Sequence, residues 1–247
     1  MPADNASSPP LHIRIASYNI RKAVGLDWRR NGQRILDVLE EIGADVVALQ
    51  EADKRFGDRH GTLPADRLRK TLGYHFVRFC GHPHQHGWHG NAILYKSPLR
   101  PIRADTINMP RLEPRGAVEA VFSDGKTRFR LIGTHLSLLG AVRARQVAFL
   151  SDKIANTPDP VPTIIAGDFN EWRETGKAHR AAGAGFRVIT PGASFHASRP
   201  TAPLDRFVTS GNIDVKNASV HSTPLARRAS DHLPIYMDVV ITAEKGG

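Results

Sequence analysis

Six apolar runs in this chain of 247 residues border a carboxylate, an amide or an imidazole. HIRIASYN closes on Asn19, VVALQE on Glu51 and RLIGTH on His135. TIIAGDFN carries Asp168 and Asn170, LDRF opens with Asp205, and the loop before the last run holds Asp231 and His232. Any one of these is an ordinary turn residue. Together they call for a fold in which strand ends from distant parts of the chain meet at one rim. The stretch IIAGDFNEW sharpens this, since side chains alternate along a strand. Asp168 and Asn170 then project to one face while Phe169 enters the opposite layer.

The runs alternate with helical patterns. RRNGQRILDVLEEIG places Ile35, Leu36, Val38, Leu39 and Ile42 at helical spacing, with Gly43 suited to the C-terminal cap. PADRLRKTLG reads as a helix opened by proline and closed by glycine, and AVRARQVAFLSDKIA as an amphipathic helix. A short helix is expected near 174–183, and NAILYKS and PIYMDVVI read as strands. RGAVEAVF and TRFRLIGTH read as hairpin partners joined through Asp124-Gly125. Strands outnumber helices and some neighbours look antiparallel, which predicts an α+β layered sandwich rather than a parallel wound sheet. No linker or repeat divides the chain, so a disordered leader over 1–10 and one domain over 11–243 are expected.

Composition excludes several classes. The longest apolar stretches fall short of the roughly 18 residues of a membrane span. Cys80 stands alone, which rules out an internal disulfide and a thiolate zinc cluster. No GxGxxG or GxxxxGK[ST] indicates a dinucleotide or P-loop site. The N-terminus lacks the basic and apolar regions of a secretory signal, so a cytoplasmic protein is expected. Net charge is +10, from 34 Lys+Arg and 24 Asp+Glu. That balance favours a polyanionic or phosphorylated partner, although generic solubility explains it almost as well.

Several carboxylates gathered at one sheet rim repel one another unless a cation lies between them. Hard oxygen donors of this kind suit Mg²⁺ or Mn²⁺. Histidines beside such an ion suit proton transfer or charge stabilisation rather than a zinc cage.

The ordered set YNIR, LQEAD, GNAILY, EPRGAV, GTHLS, AGDFNEW, PLDRF and RASDHLP resembles the endonuclease/exonuclease/phosphatase superfamily, from about residue 12 to about residue 241. The resemblance implies a four-layer α/β/β/α sandwich, two packed mixed sheets flanked by helices, with a metal-dependent phosphoesterase site at one rim. It implies Glu51 as the principal metal ligand, with Asn19 and Asp231 assisting. It makes Asp168 the group that orients or deprotonates water, and Asn170 a holder of the phosphoryl group or the metal. His232 paired with Asp205, and His135, become the acid, base or charge-stabilising groups. Arg115 matches a position that reaches phosphate. The loop HPHQHGWHGN is then the border of the substrate cleft, with His89 and Asn91 as substrate contacts.

Simpler readings stand beside these. The four histidines of that loop make either a second metal site or a polar connection. Arg21 and Lys22 line a phosphate path or a solvated strand end. Arg143, Arg145 and Gln146 start the helix after THLS, where some of them buttress His135. Trp28, Trp88 and Trp172 stack on bases or pack against the body of the protein. The reading favoured for function is a Mg²⁺- or Mn²⁺-dependent phosphodiesterase that cuts DNA. The main rival acts on a lipid headgroup or another small phosphoester. A catalytically dead nucleic-acid-binding domain is a third possibility, against which the complete polar set speaks.

Overall fold

A computed structural model describes residues 9–54, 59–79, 84–110, 113, 115–176 and 180–242. Most of the expected leader, Cys80, His82 and part of the helix expected near 174–183 lie outside the described residues. The first strand, β1 (Leu11–Asn19), pairs in parallel with β2 (Val46–Gln50) and antiparallel with β12 (Ile235–Ile241). Helix α1 (Gly32–Ile42) makes the crossover from β1 to β2. The Asn31 side chain caps its start by accepting from the Arg34 N–H, and Gly43 ends it at φ +62°. Strand β4 (Ala92–Tyr95), the short β3 (His75–Phe76) and β11 (Ile213–Val220) complete a sheet of order β11-β12-β1-β2-β4-β3. Helix α2 (Ala65–Leu72) precedes β3, with Pro64 as its N-cap residue.

The second sheet runs β5-β6-β7-β8-β10-β9. The expected hairpin forms between β6 (Ala117–Ser123) and β7 (Arg128–His135). From β7 the chain passes through α3 (Gly140–Ala155) to the parallel β8 (Thr163–Asp168), and β10 (Asp205–Ser210) lies antiparallel on its far side. Strands β5 (Arg100–Ile107) and β9 (Arg187–Ile189) are the edges, and α4 (Ala226–Ala229) precedes β12.

Three cores separate four layers. Ile13 and Ile15 of β1 meet Leu131, Ile164, Ala166 and Phe207 of the other sheet, forming the dry centre of the sandwich. The alternate residues Ala16 and Tyr18 turn outward against Ile35 and Leu39 of α1. On the opposite outer face Ile132, Ile165 and Val208 pack against Val147, Leu150 and Ile154 of α3. Each fully buried side chain of this size stabilises the fold by about 1.5–3 kcal/mol. This is the α/β/β/α sandwich expected from the sequence.

Strand β8 is buried on both faces, and Gly167 is what lets it approach β7. A Cβ there would lie 1.9 Å from the Thr134 carbonyl oxygen. The close approach sets a register in which His135 opposes Asp168, and Asp168 opposes Asp205. Three strands therefore end in one row of titratable side chains.

Candidate active site

The Asp168 carboxylate is the hub of that row. Its Oδ1 accepts the Asn170 backbone N–H at 2.8 Å. Its Oδ2 accepts from Asn19 Nδ2 at 3.0 Å and lies 3.3 Å from His135 Nε2 and 3.6 Å from His232 Nε2. Asn19 arrives from the first sheet at the end of β1, so both sheets converge on one oxygen. Phe169 is buried in the α3 core, as the alternation required. Asn170 takes φ +49° and donates from Nδ2 to the Leu136 carbonyl at 2.9 Å, tying the end of β8 to the loop after His135.

His232 turns its other nitrogen on Asp205, with Nδ1 2.9 Å from Oδ2. That same oxygen accepts from Ser194 Oγ at 2.6 Å. Burial pulls the His232 pKa down, but the charges of Asp205, Asp168 and Asp231 outweigh it and push the value up to about 10. The ring is thus an imidazolium at neutral pH. His135 goes the other way: burial lowers its pKa to about 3, with Arg115, His232 and Lys22 pushing in the same direction against Asp168. The site therefore holds one charged and one neutral imidazole beside a single carboxylate, two environments suited to different tasks.

Glu51 and Asp231 flank the end of β1. Asn19 opposes Gln50 across the strands, and Ser230 Oγ donates to the Asn19 carbonyl at 2.7 Å, which brings the Asp231 loop alongside. Each of the two carboxylates is met by a cation. Lys22 Nζ pairs with Glu51 Oε2, and Arg21 Nε lies 3.3 Å from Asp231 Oδ2. Both carboxylates carry charge that a cation balances, and with the Asn19 amide they offer hard oxygen donors of the kind that suit a divalent ion. Asp168, Asp205 and His232 also bring ligand atoms within 4.8 Å of one another. His232 Nδ1 is hydrogen-bonded to Asp205 and its Nε2 faces Asp168 at 3.6 Å, an arrangement that fits an imidazole oriented between two carboxylates.

A cavity of about 530 Å³ opens beside Asp168, lined by Lys22, Glu51, His89, Arg115, His135 and Leu138 among others. Arg115 is held there by Glu113, Nε to Oε2 at 2.6 Å, and Glu113 Oε1 accepts from Ser137 Oγ. Asn91 is fully buried behind this wall, donating from Nδ2 to the Gly116 carbonyl at 2.9 Å. It supports the segment that carries Arg115 and presents no surface to the cavity. The histidines of the neighbouring loop divide. His86 stacks on Phe76 and accepts from the Leu63 N–H at 3.0 Å, His84 packs near His60, and His89 reaches the cavity. Among the described residues these rings make no shared ligand set.

Buried cations brace the loops. Gln146 accepts from the Ser137 N–H, and Arg143 donates to the Ser137 and Leu138 carbonyls, so the start of α3 does buttress the His135 segment. Arg206 donates to the carbonyls of Glu171, Arg173 and Glu174, fixing the segment after β8. Ser194 gave no signal in the sequence; only the fold places it under Asp205.

The family profile described as Endonuclease/Exonuclease/phosphatase family matches residues 16–232, which span every group of this site from Asn19 to His232. The chain belongs to the endonuclease/exonuclease/phosphatase family. Family members are phosphoester hydrolases, and this chain is one of them. Escherichia coli YbhP is 28% identical over 249 aligned positions, covering 92% of this chain and 96% of YbhP. Among solved structures, mannosyl-6-phosphatase Bt3783 of Bacteroides thetaiotaomicron superposes with a TM-score of 0.73 at 19% identity, covering 93% of this chain and all of that one. Danio rerio TDP2 complexed with a single-strand DNA product gives 0.71 at 19% identity, covering 92% and 98%. Among the described residues no helix of this family member is long and apolar enough to cross a membrane.

Proposed function

We propose that this chain is a Mg²⁺- or Mn²⁺-dependent phosphodiesterase that hydrolyses DNA by in-line attack of water on phosphorus. The observation that carries the reading is the convergence of Asn19, His135 and His232 on Asp168 Oδ2. A water at that oxygen is oriented by a carboxylate whose other oxygen is held by the Asn170 N–H. Asp168 takes its proton as the new P–O bond forms, while the ester P–O bond opposite breaks and the leaving oxygen departs as an alcohol, taking its proton from solvent. The His232 imidazolium, fixed by Asp205, neutralises charge that builds on the phosphoryl oxygens. His135 and Arg115 face the same space from the cavity side and bind the phosphoryl group. Glu51, Asp231 and Asn19 would hold the divalent ion, which supplies Lewis acidity toward the phosphoryl oxygens when bound.

DNA is supported by the net charge of +10 and by the lysines and arginines around the cavity, where Lys22, Lys54, Arg59 and Arg115 stand together. One observation favours a second reading, a phosphoesterase acting on a lipid headgroup or small phosphoester. Leu138 and Leu139 are 63% and 52% exposed on the loop beyond His135, a place where apolar side chains can enter a lipid interface. A dead binding domain would have no use for Glu51 and Asp231.

The test is a substrate panel with Mg²⁺, Mn²⁺ or EDTA: plasmid, single-stranded DNA, RNA, a nitrophenyl diester, a nitrophenyl monoester and phospholipid vesicles. Cleavage of DNA and the diester, abolished by EDTA, is expected. Headgroup release without DNA cleavage would replace this reading by the second, and turnover of the monoester alone would replace both by a phosphatase.

A further inference from the structure

Two tryptophans stand out of the protein close to the site. Trp28 is 78% exposed and Trp172 is 60% exposed. Trp28 lies on the loop after β1. The Arg21 guanidinium covers its ring at 4.5 Å, and Arg21 is the residue that reaches Asp231. Trp172 lies on the segment after β8. Its ring meets Phe195 edge-on at 5.9 Å, and Phe195 packs 4.9 Å from the His232 ring. Each indole is therefore one side chain away from the Asp231–His232 pair, Trp28 reaching it from the first sheet and Trp172 from the second. The basic cavity is lined by Glu51, His135 and Arg115 among others, and neither indole is in its wall.

Neither indole is needed as core. Arg21 fixes the first from one face, Phe195 fixes the second at its edge, and Arg206 clamps the backbone that carries Trp172. Their sequence neighbours are exposed arginines, Arg29 and Arg30 in DWRR and Arg173 in EWR. Interleaved rings and guanidinium groups match the alternation of bases and phosphates along a strand. Every base has a π-face, so such rings bind without reading sequence. A duplex keeps its base faces stacked within the helix, whereas a single strand offers them.

Resting on the phosphodiesterase reading above, we infer that Trp28 and Trp172 are stacking platforms for unpaired bases next to the scissile phosphate, and that the substrate is single-stranded nucleic acid. Exposed Leu138 lines the basic cavity, whose wall includes neither indole.

The experiment uses the full chain and oligothymidylate as probe. In EDTA, where no chemistry occurs, Trp28→Ala and Trp172→Ala are each expected to weaken binding of the strand by about 5- to 150-fold, the range for one lost base stack. Tyrosine at either position should recover most of it. With metal, kcat/KM for the strand should fall at least about fivefold more than kcat/KM for the nitrophenyl diester, which has no base to stack. Equal losses on both substrates, unchanged strand binding in both variants, or no wild-type binding would overturn the inference. So would loss of binding to phosphatidylglycerol vesicles with strand binding intact, which would make the rings a lipid contact. A wild-type protein that bound the strand through both rings in EDTA yet never cut it with metal would sink the nuclease reading and leave the stacking role standing.

Discussion

His232 and Asp205 form a buried charged pair, Nδ1 to Oδ2 at 2.9 Å, and Ser194 Oγ donates to the same carboxylate oxygen. Asp205 lies on β10 and His232 on the loop before β12, so the pair joins the two sheets at the rim. Replacing Asp205 by Asn removes the negative charge and leaves the shape. Activity should fall about 100- to 1,000-fold, as for loss of one charge-stabilising donor, with the circular dichroism spectrum unchanged. His232→Ala should lose a comparable or larger share. Near-normal turnover in either variant would remove the pair from the mechanism.

Glu51 carries the metal prediction. Chelation should abolish turnover, and excess Mg²⁺ or Mn²⁺ should restore it. Glu51→Gln keeps an oxygen donor but loses the charge, so the Mn²⁺ concentration for half-maximal activity should rise at least about tenfold. Calorimetric titration with Mn²⁺ gives an independent reading. Identical Mn²⁺ affinity in wild type and variant would remove Glu51 from the metal site.

His86 makes stability sensitive to acid. Burial lowers its pKa from 6.5 to about 4, aided by the nearby Arg78 and opposed by its bond to the Leu63 backbone. The unfolded chain then binds more protons than the folded one between those values. This contribution is complete above pH 6.5 and is lost as the pH falls toward 4, by about 2 kcal/mol given the part-exposed ring. Urea midpoints measured across that range should slope less for His86→Gln. Parallel slopes in the two proteins would show that other groups carry the acid response.

Gly167 sets the spacing of the row. An added methyl at Gly167→Ala would collide with the Thr134 carbonyl, which belongs to β7 backbone and cannot swing aside. Separating β7 from β8 should cost about 1–3 kcal/mol of stability, and activity should drop as His135 and Asp168 lose register. A variant with wild-type melting temperature and turnover would show that the strands tolerate the displacement.

The buried strands were legible because they are nearly continuous apolar runs, and their polar ends marked the rim. Strands β5 and β11 were not legible. RPIRADTI and IDVKNASV are sheet edges, half exposed and broken by register shifts at Pro101/Arg103 and Val215/Asn217. Proline, charge and bulges of this kind protect an edge from pairing with other chains, and they also erase the apolar pattern. At the site, His135, Asp168, Asp205 and His232 could be read from motif order, whereas Ser194 could not. A serine in SFH looks like any loop hydroxyl until the fold lays it beneath Asp205. Asn91, expected at the substrate, is fully buried and donates to the Gly116 carbonyl, a bond that nothing in its sequence neighbourhood announced.

Glu51, His89 and Asn170 all take left-handed backbone conformations, at φ +53°, +50° and +49°. Outside glycine, such conformations cost of order 1–3 kcal/mol each. Glycine would relieve that cost at all three while deleting the side chains that the proposed mechanism and its substrate cleft use. Selection for robustness alone would thus erode these positions first, and a descendant that had abandoned chemistry would be recognisable by glycines there within an otherwise intact sandwich.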